Sequence, residues 1–172
     1  MKLTIAFFGH RNIYCQDLAD RLKSQLMSVA DENEICCLIG THGDFDMLAL
    51  EVCRKIRQSH PHITITVVFT SLNVLIKGRY DDCSIADLYN DVDTMIYDIE
   101  EEYFKKQIIV SNRKMVDESD LIICYVDMKR HSSGAKKAVE YAMKEGKKVV
   151  NLFREQDRLS YDEIKKKLNI KT

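Results

Sequence analysis

Five short apolar runs, LTIAFFG, EICCLIG, ITITVVF, DLIICYV and KVVNLF, punctuate the chain, with longer amphipathic stretches between them. Brief runs rich in β-branched residues, set between helix-spaced segments, are the pattern of a parallel sheet covered on both faces. The cover is visible in the spacing. Gln16 to Ala30 repeats Leu18, Leu22, Leu26 and Val29 along one stripe, and Phe45 to Ser59 repeats Leu48, Val52 and Ile56. Each is a helix with one apolar side turned inward.

This alternation predicts an α/β fold: a doubly wound parallel sheet of about five strands with helices on both faces. Pro61 breaks the second helical pattern before the third strand, because its ring cannot continue a helix. Further helices are expected at Phe104 to Glu118, at Ser133 to Lys144 and at about 160–169, and Gly146 stands where a left-handed helix stop belongs. The rhythm lapses after Thr70 until about Glu101, apart from a candidate short strand in TMIYDI. That interval, about 71–101, is expected to be an irregular acidic flap over the sheet edge. No repeat, low-complexity stretch or linker divides residues 1–172, so a single domain is expected.

With 172 residues, the chain can bury roughly two-thirds of the surface its unfolded form exposes, and needs no cross-links. The six cysteines show no C-x-x-C pair and no metal-ligand spacing, so neither a disulfide framework nor a metal is expected. Met1 leads into KLTIAFFGH, too short for a secretory core or a membrane span. A cytoplasmic protein without a membrane partner is therefore expected. Net charge is −1. The broad positive field that dominates binding to nucleic-acid backbones is missing, so no nucleic-acid partner is expected either.

In an open parallel sheet, ligands bind beyond the carboxyl ends of the strands, where strand order reverses. That nominates four loops: Gly9-His10-Arg11, Gly40 to Asp46, Thr70 to Arg79, and Asp127 to Gly134. Glycine at such a turn either admits a ligand against the backbone or simply lets the chain bend; three glycine turns on one rim favour a site. Gly40, Thr41 and Gly43 form neither G-x-G-x-x-G nor a P-loop signature. Asp44 and Asp46 crowd the start of the following helix, where their charge suits the dipole but repels phosphate. Asp44 reads as an N-cap and Asp46 as an acceptor for sugar hydroxyls. In KRHSSGAKKAVEYA, Lys136 and Lys137 fall in the first turn of a helix, where each cation costs about 0.3–1 kcal/mol. An anion at Ser132, Ser133 and Gly134 would offset that cost, although two exposed lysines could equally point into water. Asn112 interrupts the apolar stripe of Phe104, Ile108 and Met115, and either braces backbone carbonyls or reaches a ligand. Arg113 flanks the stripe, and His10-Arg11 supplies a fork for an anion.

The set FFGHR, IGTHGDFDMLALEV and SNRKMVDESDLIICYVDMKRHSSGAKKAVEYAMKEGKKVVNL resembles the SLOG superfamily of Rossmann-like domains, especially its small single-domain YpsA-like branch. The similarity runs from about residue 3 to residue 153. It implies a nucleotide or nucleotide-derived ligand and carries over Gly9, Arg11, Gly40, Gly43, Asp46, Asn112 and Gly134. No cofactor is expected; related domains commonly pair through their helices, so a homodimer or higher homo-oligomer is an expected partner state. Some relatives, the LOG-type phosphoribohydrolases, cut the bond between base and ribose phosphate using an R-K-x-x-M arginine and a P-G-G-x-G-T-x-x-E glutamate. Here Ser111 and Asn112 stand in place of the arginine and lysine. Ala138 stands at the glutamate position, and Glu140 matches only in a different alignment. A DprA-like role on single-stranded DNA finds no basic stripe; Tyr80, Tyr89, Tyr97 and Tyr103 read as cover for the core or a subunit interface. The expected function is a binding module acting as sensor, carrier or sequestering domain. The alternatives are an N-glycosidic hydrolase using Glu140 or Asp46, and an interaction protein with a vestigial rim.

Overall fold

The computed structural model describes residues 2–30, 34–71, 85–99 and 103–159, together with Glu163 and Lys166. The elements are β1 (Lys2–Gly9), α1 (Leu18–Ala30), β2 (Glu34–Ile39), α2 (Asp44–Arg57), β3 (Ile63–Phe69), a short α3 (Ile85–Leu88), β4 (Asp93–Ile96), α4 (Phe104–Asp117), β5 (Leu121–Tyr125), α5 (Gly134–Lys144) and β6 (Lys148–Asn151), then a 3-10 turn at Glu155–Asp157. The strands form one six-stranded sheet in the order β4-β3-β2-β1-β5-β6, and every neighbouring pair is parallel. β1 is central: Ile5 lies opposite Cys37 of β2, and Phe7 lies opposite Ile123 of β5. Strand order reverses between β1 and β5, which makes their carboxyl ends the switch point.

The fold is thus the doubly wound, Rossmann-like α/β class the sequence predicts, with one strand more. That strand, β4, overlaps the first half of TMIYDI and pairs Val67 with Thr94. All four of its residues are exposed, so it carries no burial pattern to announce it. The interval expected to be irregular therefore contributes an edge strand and a helical turn. Residues 72–84 and 100–102, which hold the rest of the expected flap and most of the third candidate loop, lie outside the described residues. So does most of the expected C-terminal helix, within which Glu163 and Lys166 are helical.

Side chains of β1 alternate between two cores, as the period of two in a strand requires. Ile5 and Phe7 enter the core under α1 and α2; Ala6 and Phe8 enter the core under α4 and α5. Leu18, Leu22 and Leu26 of α1 are fully buried, each worth about 1.5–3 kcal/mol. Tyr89 is buried edge-on to Phe69, while Tyr103 is exposed. Gly146 has φ +69°, the left-handed stop that the sequence places after α5. One part of the predicted stripe fails: Phe104 is 48% exposed, whereas Ser111, seven residues along on the same side of α4, is buried. The Phe104 ring meets His42 at the rim and belongs to neither core. Among the described residues, no helix is long and apolar enough to cross a membrane.

Candidate functional site

At the switch point the rim encloses a cleft of about 270 Å³. Gly9, His10 and Arg11 enter it from the loop after β1, and Gly40, His42 and Asp46 from the loop after β2 and the start of α2. Ser133, Gly134 and Ala135 come from the start of α5, while Ile108, Asn112 and Met115 form the wall from α4. Eight of the twelve residues that the sequence nominates for binding share this one cleft.

The two loops at its entrance are tied to each other. Asp44 donates its backbone N–H to the Arg11 carbonyl at 2.8 Å, and its carboxylate accepts from the Ile13 N–H at 3.2 Å. Asp44 is therefore not the N-cap expected from its residue type. Gly43 holds that position, because the first loop runs across the helix start and claims the Asp44 side chain. Gly43 is packed against the Arg11 backbone, and a Cβ on Gly9 would lie 2.2 Å from the Phe45 ring. Gly9 and Gly43 thus allow close contact between protein segments, and Gly9 and Gly40 also line the cleft.

Asp46 turns back over the loop. Its Oδ2 accepts the His42 N–H at 2.7 Å and the carboxylate also receives the Gly43 N–H, as a residue in the third position of a helix does in a capping box. Burial nevertheless outweighs those bonds and pushes its pKa up to about 6. Among the described residues, Asp46 is the one carboxylate lining the cleft.

Cationic and amide groups remain open. Arg11 is exposed and donates Nε to the His42 carbonyl at 3.3 Å, and its guanidinium has no carboxylate partner among the described residues. The Asn112 amide, 4.0 Å from where a Gly134 side chain would begin, makes no hydrogen bond to any described residue. His10 is buried and neutral: the Asp127 N–H donates to Nε2 at 2.8 Å, which makes that nitrogen the acceptor. Burial first, and then the nearby charge of Arg130, lowers its pKa. His42, absent from the sequence's nominations although it sits between two glycines of the loop, lines the cleft and meets Phe104 edge-on at 5.9 Å. Burial and the Arg11 charge bring it down to about 4, so it is an uncharged ring near neutral pH.

Four nominated residues stay out of the lining. Thr41 is adjacent, with its hydroxyl buried and without a hydrogen-bond partner among the described residues, and Gly43 stands behind Arg11. Arg113 lies over the Tyr141 ring at 5.3 Å. Lys136 sends Nζ to the Arg130 carbonyl at 3.1 Å, while its backbone N–H is capped by Ser133 Oγ at 3.2 Å. Glu140 is exposed on α5, 3.9 Å from Lys136 and away from the cleft.

Fold and site together define a doubly wound α/β domain with a small cleft of mixed polar and apolar lining at its switch point. In structure the chain is similar to DNA processing protein A from Helicobacter pylori, a SLOG-superfamily Rossmannoid described for its single-stranded DNA binding mode. The TM-score is 0.63 at 15% identity, over 97% of this chain and 73% of that one. At that identity the likeness is one of fold. No protein-family model matches the sequence, and no curated protein matches it.

Proposed function

We propose that this is a SLOG-type domain of the small YpsA-like branch that binds a nucleotide or nucleotide-derived small molecule in the switch-point cleft. The observation that carries the reading is the convergence there of a guanidinium with no carboxylate partner among the described residues (Arg11), an amide with no hydrogen bond to a described residue (Asn112) and a carboxylate poised near neutrality (Asp46). Arg11 and the start of α5, whose Ser133, Gly134 and Ala135 line the cleft, suit a phosphate. Asp46, ionised above pH about 6, suits ribose hydroxyls, and Asn112 suits either. The volume supports a compact occupant, since clefts for drug-sized ligands run roughly 300–1,000 Å³. The single-stranded DNA of the structural relative is not carried over: the net charge is −1, and backbone binding needs a positive groove.

Hydrolysis of an N-glycosidic bond rests on Asp46 alone, since Glu140 does not reach the cleft. A carboxyl with a pKa of about 6 is suited to acid-base work, which keeps this as the second reading. The test is a thermal-shift and calorimetric screen of the common nucleoside 5′-monophosphates, with free base followed by chromatography. Stabilisation abolished by Arg11→Ala supports binding; base release abolished by Asp46→Asn supports the hydrolase; no stabilisation by any nucleotide refutes both.

A further inference from the structure

The rim does not end at His10. On its other side lies a second cleft of about 480 Å³, and the His10 imidazole lines both. Its floor is aromatic: the Tyr125 and Phe153 rings are 5.2 Å apart, and each meets His10 edge-on, at 6.4 and 6.5 Å. Most charges on its walls are already matched. Arg158 holds Asp127 at 2.7 and 2.5 Å, Lys129 pairs with Glu155, and Asp157 is bonded by Arg21 at 2.6 and 2.9 Å. The side chains of Asn12, Tyr14 and Arg130 also line this cleft and make no hydrogen bond to any described residue.

Each of two loops serves both clefts. The loop after β1 gives Arg11 to the first and Asn12 and Tyr14 to the second; the loop after β5 gives Arg130 to the second and Ser133 to the first. Resting on the nucleotide-binding reading above, we propose that the second cleft holds the second half of a two-part ligand: two nucleoside units joined by a phosphate bridge, one unit in each cleft and the bridge over His10 and Arg11.

Three features favour this occupant. The first cleft has room for one compact unit and abuts a larger one at a single side chain. An open aromatic ring is a stacking surface that any base can use; Tyr125 and Phe153 are packed with His10 and Arg158 as the floor, and Tyr14 is the ring that lines the cleft with no ring contact to a described residue. Arg11 and Arg130 stand on either side of His10 without carboxylate partners among the described residues, so a bridging anion meets cations on both flanks. His10 itself, held by the Asp127 N–H, is a fixed neutral divider and not a competing charge.

The probes are nucleoside 5′-monophosphates and the corresponding dinucleoside diphosphates, in which a 5′,5′-pyrophosphate joins two copies of the same nucleoside. Calorimetry on the full chain is expected to show at least one dinucleoside diphosphate binding about tenfold or more tighter than its monophosphate, the order that one stacked base contributes. Tyr14→Ala and Asn12→Ala are each expected to bring that ratio toward one, with circular dichroism confirming that both fold. If the monophosphate binds and the ratio in the unaltered protein stays below about two, the two-part ligand is refuted and the single-cleft reading stands. A tenfold ratio that neither substitution changes also refutes it. If neither class of probe binds, both readings fall.

Discussion

Replacing Asp46 with asparagine separates the electrostatic cost of this carboxylate from its role as a brace. The group titrates near 6 in the fold against an ordinary 3.8, and each factor of ten in proton affinity is about 1.4 kcal/mol, so its ionisation costs about 3 kcal/mol of stability. The sign follows from which state keeps the proton. Between pH 4 and 6 the folded chain holds a proton on Asp46 that the unfolded chain has lost, so this group's contribution to stability falls as pH rises through that window and levels off above it. The lowered pKa values of His42 and His10 act with the opposite sign in both proteins. Asn retains one acceptor for the two N–H groups that Asp46 receives from His42 and Gly43, at a loss of about 1 kcal/mol for the other. Asp46→Asn is therefore expected to be about 1 kcal/mol less stable than the unaltered protein near pH 4 and about 2 kcal/mol more stable near pH 7.5. Urea unfolding of both proteins across that range measures the difference. The ion-paired carboxylates do not confuse it: Asp17 is held down to about 2 by Arg21 and Cys15, and Asp127 and Asp157 are lowered chiefly by Arg158 and Arg21. Their stabilisation is lost only as pH falls below about 4, and equally in both proteins. A difference that stays constant from pH 4 to 7.5 would refute the assignment.

Three other substitutions probe the same frame. Gly9→Ala would put a methyl group within 2.5 Å of the Phe45 ring, and a loss of about 1–3 kcal/mol is expected; an unchanged melting temperature would show that the ring is not pressed there. Arg21→Ala leaves Asp157, whose side chain is 6% exposed, without its main cation, so chemical denaturation should show a loss of about 3–5 kcal/mol. Arg11→Ala should weaken nucleoside monophosphate binding about 10- to 100-fold and flatten its salt dependence, with the melting temperature kept; equal affinity in 50 and 300 mM salt (about a twofold change in screening length) for the unaltered protein would count against a bound anion.

What the amino-acid order determined by itself was the architecture and the rim. Leu18, Leu22 and Leu26 follow one another at helical spacing, and the apolar runs are too short for anything but strands. These are local periodicities, fixed by chain geometry before any long-range contact forms, and a parallel sheet wound in both directions brings its strand ends to one edge. Hence Gly9, Arg11, Gly40, Asp46, Asn112 and Gly134 could be nominated together. Only tertiary structure decided where each long side chain turns. Lys136 finds the Arg130 carbonyl, Arg113 the Tyr141 ring and Asp44 the Ile13 N–H, partners that are not evident from the spacing of the chain. β4 was faint for the same reason: an edge strand with every residue exposed is held by its backbone pairing to β3, and a backbone hydrogen bond leaves no mark in the choice of side chains.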